Sequence, residues 1–198
     1  MAYGGRKSKF SYAAMMALGM AYIAQKNHER VEFSVFGDAI IPLKRRGMDI
    51  RVQQLLHKLK DIKAGGKTRF DQIMRRYHKR VTSKSLLFIF SDFLYPIESM
   101  ANLLARYRKS QLFLVQVLHE DEVVLPFHGD FKFVDPEEKK QMMKTYVSHR
   151  TKTLYHEALQ THTDEIQDAC KGYDVSFLQL DTRQTPIEGF VRLWNVIQ

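Results

Sequence analysis

Asp92 stands in FSDFLYP, directly after the apolar run SLLFIFS. An apolar run of that length between polar residues predicts a strand buried on both faces of a parallel sheet. Open α/β sheets place their binding residues just beyond the carboxyl ends of such strands. A carboxylate there has the chemistry to hold Mg²⁺, directly or through water. It would equally serve as a helix N-cap or turn residue. Thr68, in GGKTRF, is the second candidate. Its hydroxyl is a hard oxygen donor, and the two glycines allow close backbone approach to a ligand. Gly65-Gly66-Lys67-Thr68 also matches part of a phosphate-binding loop. That loop follows a buried strand and begins with a further glycine. Here a helical pattern precedes it and Asp61 occupies that glycine's place, which excludes the nucleotide reading.

Eight histidines raise the question of a metal centre. His119, His128, His149, His156 and His162 share one half of the chain, but none stands at zinc spacing from another His or Cys. They are expected to be solvated or partly buried. Cys170 is the single cysteine, so no intrachain disulfide forms, and a reducing cytoplasm is the expected location. No Ser-His-Asp or paired-carboxylate arrangement emerges from spacing, and the chain is expected not to be an enzyme. A hydrolase using Asp92 with a bound metal is the weakest reading, because no nucleophile or base supports it.

The formal net charge of +9 is unevenly placed. Residues 1–100 hold 19 Lys and Arg against 8 Asp and Glu, a balance of +11, and residues 101–198 hold 12 against 14, a balance of −2. Such asymmetry suits nucleic acid, an anionic surface or an acidic protein, or marks basic helix faces in solvent. The densest stretch, Arg75-Arg76-Tyr77-His78-Lys79-Arg80, would spread around most of a helix circumference. No apolar run approaches the roughly 20 residues of a membrane span. The apolar stretch 13–24 is interrupted by Gly19 and flanked by Tyr12 and Tyr22, which suits a packed helix better than a signal peptide.

The elements that must position Asp92 and Thr68 follow from periodicity. Residues 7–25 read as a helix with Phe10, Ala13, Ala14, Ala17, Ala21 and Ala24 on one face and Lys9 and Gln25 off it. The alanines predict close packing on a sheet. Residues 30–36 alternate as a half-buried strand, and 39–43 return as a second, edge strand because Pro42 lacks an N–H. Helices are predicted over 50–62, capped by Asp49, and over 69–81, capped by Thr68. Then come a strand over 85–91, a helix over 96–107 and a strand over 111–118, a βαβ unit. A small hairpin is expected within 119–136, including 131–134. A long helix over 139–169, with a break near Thr153, and a stop at Gly172 are expected next. A final strand over 175–180 and a helix opened by Pro186 complete one α/β domain spanning 1–198.

In order, MAYGGRKSKFSYAAMMALGMAYIA, RVEFSVFGDAI, LKDIKAGGKTRF, LLFIFSDFL, FLVQVLHEDEVVLPFHG, FKFVDPEE and VSFLQLDT resemble one bacterial family, the domain of unknown function fifty-eight. The resemblance covers nearly the whole chain. It implies a three-layer, Rossmann-like, von Willebrand factor type A-like fold, mostly parallel with an antiparallel edge strand. It also implies a metal-ion-dependent adhesion site built from an Asp-x-Ser-x-Ser-Met-like loop, a Thr and a further Asp. Thr68 and Asp92 match the last two positions, and Met1 matches the methionine closing the first loop. Arg69 stands where the family often has an acidic residue. The first central strand and its Asp-x-Ser-x-Ser segment are expected upstream of Met1. Thr68 and Asp92 are thus a remnant metal site, no cofactor is expected, and Mg²⁺ would bind only with that upstream segment. Family membership further implies a non-enzymatic interaction module, partnered by a MoxR-type AAA+ ATPase or a client protein in maturation or assembly of other proteins. Binding of nucleic acid or an anionic surface through the basic half is the alternative.

Overall fold

The computed structural model describes residues 8–44, 51–62, 70–81, 84–134 and 142–197. Ser8 opens the first helix, α1 (Lys9–Lys26), its hydroxyl accepting the Ser11 N–H at 3.1 Å. A hairpin follows, β1 (Phe33–Phe36) and β2 (Ile40–Lys44), paired antiparallel. Next come α2 (Val52–Asp61), α3 (Phe70–His78), β3 (Leu86–Ser91), α4 (Ile97–Tyr107) and β4 (Gln111–Leu118). The remainder is α5 (Glu120–Val124), β5 (Gly129–Val134), β6 (Met142–Val147), α6 (His149–Gly172), β7 (Ser176–Asp181) and α7 (Pro186–Ile197).

β4 is the middle strand of a parallel sheet in the order β3-β4-β7, with Leu86↔Gln111 and Phe113↔Ser176 opening the two registers. Leu112 through Leu118 are all buried, as a strand covered on both faces must be. Side-chain alternation then divides the core into two layers. Leu112 and Leu114 join Met100, Leu103 and Leu104 of α4 and Ile166 and Cys170 of α6. Val115 and Val117 face Tyr12, Ala13 and Met16 of α1 and Leu193 of α7. Helices on both faces of a parallel sheet make a layered, Rossmann-like α/β fold. The alanine face of α1 extends this packing to the hairpin and α2, where Leu18 and Ala21 meet Phe33 of β1 and Leu55 and Leu59 of α2.

The expected antiparallel edge strand is present as β2, paired with β1 in a two-stranded sheet. Three predicted features differ. β3, expected to be buried on both faces, leaves Leu86 half exposed, because among the described residues no strand lies on its outer side. The helix expected over 139–169 begins at His149, and Met142–Val147 is instead strand β6, paired antiparallel with β5. Ladder bonds to β5 satisfy that backbone, and Ser148, whose hydroxyl accepts the Thr151 N–H at 3.1 Å, starts the helix there. α6 then runs through Thr153 without the expected break. Asp49, the glycines of GGKTRF and Met1 lie outside the described residues.

Candidate functional site

Asp92 follows β3 directly, at the carboxyl end of the sheet, as predicted. The backbone there is unusual. Phe93 is fully buried with φ of 51°, the left-handed region that costs a side chain free energy. Three contacts hold it. Its N–H donates to Ser91 Oγ at 3.3 Å, and its carbonyl accepts from His162 Nε2 of α6 at 2.9 Å. A carbonyl only accepts, so the His162 proton sits on Nε2. The Asp92 carbonyl accepts from Gln116 Nε2 at 2.9 Å, while Gln116 Oε1 accepts from Thr163 Oγ1 at 3.4 Å. Middle strand and α6 therefore pin the loop from below. From the side, Phe70 of α3 stands edge-on to Phe93 and stacks on Tyr95, with centroids 4.3 Å apart. Thr68 itself lies outside the described residues, two positions before Phe70.

The Asp92 carboxylate faces a cation supplied by the chain. Lys9, in the first turn of α1, is 3 % exposed. Its Nζ lies 3.0 Å from Asp92 Oδ2 and 2.6 Å from Glu122 Oε1. Burial pushes the Lys9 ammonium down, but Asp92 and Glu122 beside it outweigh this and hold it above the usual lysine value. Burial likewise pushes Asp92 up, and the positive charge around it, Lys9 foremost, more than offsets that, so the carboxyl stays below the usual range. Glu122 has a second task. Its Oε2 accepts the His119 N–H at 2.9 Å while His119 Nδ1 accepts the Asp121 N–H at 3.2 Å, a capping box that starts α5. Across the same end of the sheet, the Glu120 N–H donates to Thr182 Oγ1 at 2.9 Å.

Sequence periodicity set Lys9 aside as a residue off the apolar face, and gave Gln116, Glu122 and Thr163 no role. The one available signal was Gln116, a glutamine inside a strand otherwise apolar from Leu112 to Leu118. A buried amide must be hydrogen-bonded, so its presence announces partners. Of the five grouped histidines, two hold backbone here, His119 as a cap and His162 on Phe93. His128 and His149 approach each other edge-on, with ring centroids 5.9 Å apart. Cys170 is on the buried face of α6, and burial pushes its thiol up to about 12, which keeps it from acting as a nucleophile at neutral pH.

Among the described residues, no group of three or more His, Cys, Asp or Glu could hold a metal ion. Mg²⁺ demands a near-octahedral shell of oxygens, and at Asp92 it would meet the Lys9 ammonium. The described donors alone do not make up such a shell. Among the described residues, no helix is long and apolar enough to cross a membrane.

A parallel three-stranded sheet between helical layers, with a buried ion cluster at its carboxyl end, defines a layered α/β protein. The chain belongs to the family described as "Protein of unknown function DUF58", whose model matches residues 1–165. The matched span stops inside α6, before β7 and α7. No curated protein and no solved structure matches the chain.

Proposed function

We propose that this chain is a non-enzymatic protein-interaction module that works with a MoxR-type AAA+ ATPase in the maturation or assembly of other proteins. The supporting observation is the composition of the carboxyl end of the sheet. Lys9, Asp92, Glu122, His119 and Thr182 satisfy one another or nearby backbone, which is the behaviour of a structural cluster. On the loop after Asp92 and on α5, Leu94 and Val124 stay about half exposed, at 51 % and 49 %. Exposed apolar side chains around a satisfied polar centre suit a partner better than a small substrate. The test is co-elution of the purified chain with a purified MoxR-type AAA+ ATPase, with and without ATP. Binding that is lost in Leu94→Asp and Val124→Asp supports the reading, and no co-elution in either nucleotide state sinks it.

A second reading, binding of nucleic acid, rests on Arg75, Arg76 and Lys79, which are exposed together at the end of α3 and just beyond it. Arg80 is drawn away to Glu32, at 3.1 Å. Titration with mixed-sequence DNA and RNA across a salt series decides it, because a phosphate footprint weakens steeply as salt rises.

A further inference from the structure

Among the described residues the most exposed large apolar side chain is Ile187, on α7, at 77 %. Val191, one turn further on, is 53 % exposed, and Met15 of α1 is also exposed. Met15 and Ile187 border a shallow notch of about 200 Å³ together with Met16, Pro186 and Phe190. Met15, Ile187 and Val191 do not border the space between β1 and β3, so their exposure is independent of what stands there. The inner side of α7 is fixed. Leu193 is fully buried with Val115 and Val117, and Gly189 sits close against Tyr12 of α1. Ile187 and Val191 are therefore held outward as an apolar stripe in solvent. Two opposite charges run beside that stripe on one flank. Glu188 accepts the Thr185 N–H at 2.7 Å, Arg192 donates to Gln184 at 2.9 Å, and both side chains are exposed.

We propose that this face is a two-fold interface with a second copy of the chain, in which the two α7 helices pack antiparallel across Ile187 and Val191. A two-fold axis midway between those residues sets each Ile187 on Val191 of the second copy. The charges select the same arrangement. At about 1.5 Å of rise per residue, Glu188 then stands about 3 Å along the axis from Arg192 of the second copy, on the same flank. Both attractive pairs form at once, within reach of long side chains on helices roughly 8–10 Å apart. A parallel pair would throw the two charged flanks to opposite sides and form neither. A polyanion gains nothing here, since it meets one charge of each sign. The size of the face sets the strength. Twelve residues of α7 with Met15 beside them offer less than the roughly 800 Å² per partner of a standard interface, so the dimer is weak and depends on concentration. This inference is independent of the ATPase partnership, since Leu94 and Val124 belong to the carboxyl end of the sheet.

Sedimentation velocity of the purified chain from about 1 µM to about 500 µM, without any ATPase, tests it. A monomer–dimer equilibrium is expected, and the emission of Trp194, the single tryptophan, stacked on Phe190, should shift with the same midpoint. Ile187→Glu and Val191→Glu change exposed positions, so the fold should survive, as circular dichroism checks, while the dimer weakens tenfold or more. Arg192→Glu alone and Glu188→Arg alone each set like charges together twice, and should weaken the dimer about tenfold. An equimolar mixture of those two variants restores both attractive pairs and should recover it. A chain that stays monomeric throughout, a dimer as tight in Ile187→Glu as in the parent, or a mixture no tighter than either variant overturns the proposal. So does a longer form of the chain that stays monomeric because its own residues cover this face.

Discussion

Gln116 donates from the middle of β4 to the carbonyl of Asp92, 2.9 Å away, and its own oxygen accepts from Thr163 on α6. One buried amide therefore couples the central strand, the loop after β3 and the longest helix. Replacing it with leucine keeps the volume but leaves the Asp92 carbonyl and the Thr163 hydroxyl without this partner. Gln116→Leu is expected to lower stability by about 1–3 kcal/mol. In urea titration the midpoint should fall while the slope stays constant, and a midpoint at the wild-type value would remove the coupling.

Lys9 carries a larger share. Lys9→Met leaves Asp92 and Glu122 facing each other without their common ammonium, and is expected to cost about 3–5 kcal/mol at neutral pH. Thermal and chemical unfolding measure it directly. Glu122→Gln, which keeps the cap on His119 and removes only charge, should cost less.

The same cluster sets a pH profile. Asp92 is held below its ordinary value of 3.8, so its contribution is complete above that value and is lost as pH falls through the folded-state value. Lys9 is held above 10.5, so its contribution is complete below that value and is lost as pH rises through the folded-state value. Stability from the cluster is therefore flat between roughly pH 4.5 and pH 10 and declines on both sides. In Lys9→Met the acid limb should shrink, since Asp92 loses the largest of the charges that hold its carboxyl down. Unfolding midpoints from pH 2.5 to pH 7 distinguish the two profiles.

Phe93 reverses an ordinary preference. At most positions alanine is better tolerated than glycine, but at φ of 51° a Cβ is a liability. Both Phe93→Ala and Phe93→Gly empty a fully buried site and should cost about 3–5 kcal/mol. The glycine variant is expected to be the more stable of the two by about 1 kcal/mol. An alanine variant that is the more stable would show that the loop relaxes out of this conformation.

Gly189 on α7 is confined by Tyr12 on α1, whose hydroxyl occupies the place where a Cβ would sit. That hydroxyl also donates to the Thr185 carbonyl at 3.3 Å. Gly189→Ala must displace a ring that is 4 % exposed, and is expected to cost about 1–3 kcal/mol. Adding Tyr12→Phe removes the clashing oxygen and should recover part of the loss, a coupling that a double-mutant cycle reads.

How much of this was legible depends on how far apart the partners lie. β4 was predicted to the residue, because a continuous apolar run between polar ends is a local signal. The βαβ unit around it, and the α/β class, follow from the same kind of signal. β6 was not legible. Met142–Val147 carries no strand pattern strong enough to outweigh its helical continuation, and only pairing with β5 decides it. At the site, Asp92 could be found from its place after an apolar run. Lys9 could not, since its partners stand 83 and 113 residues away and no local pattern encodes them. Thr68, drawn from the same family pattern as Asp92, lies outside the described residues.

The buried sulfur of Cys170 offers a clock. With its thiol pushed up to about 12 and its side chain sealed between α6 and the sheet, a neutral-pH thiol reagent meets no competent nucleophile in the folded chain. Modification must wait until α6 lifts from β4 and β7 and the sulfur regains solvent and an ordinary acidity. Because it is the chain's single cysteine, every labelled molecule records one opening of that same layer. The labelling rate at low reagent concentration then reports the opening equilibrium, and at high concentration the opening rate itself.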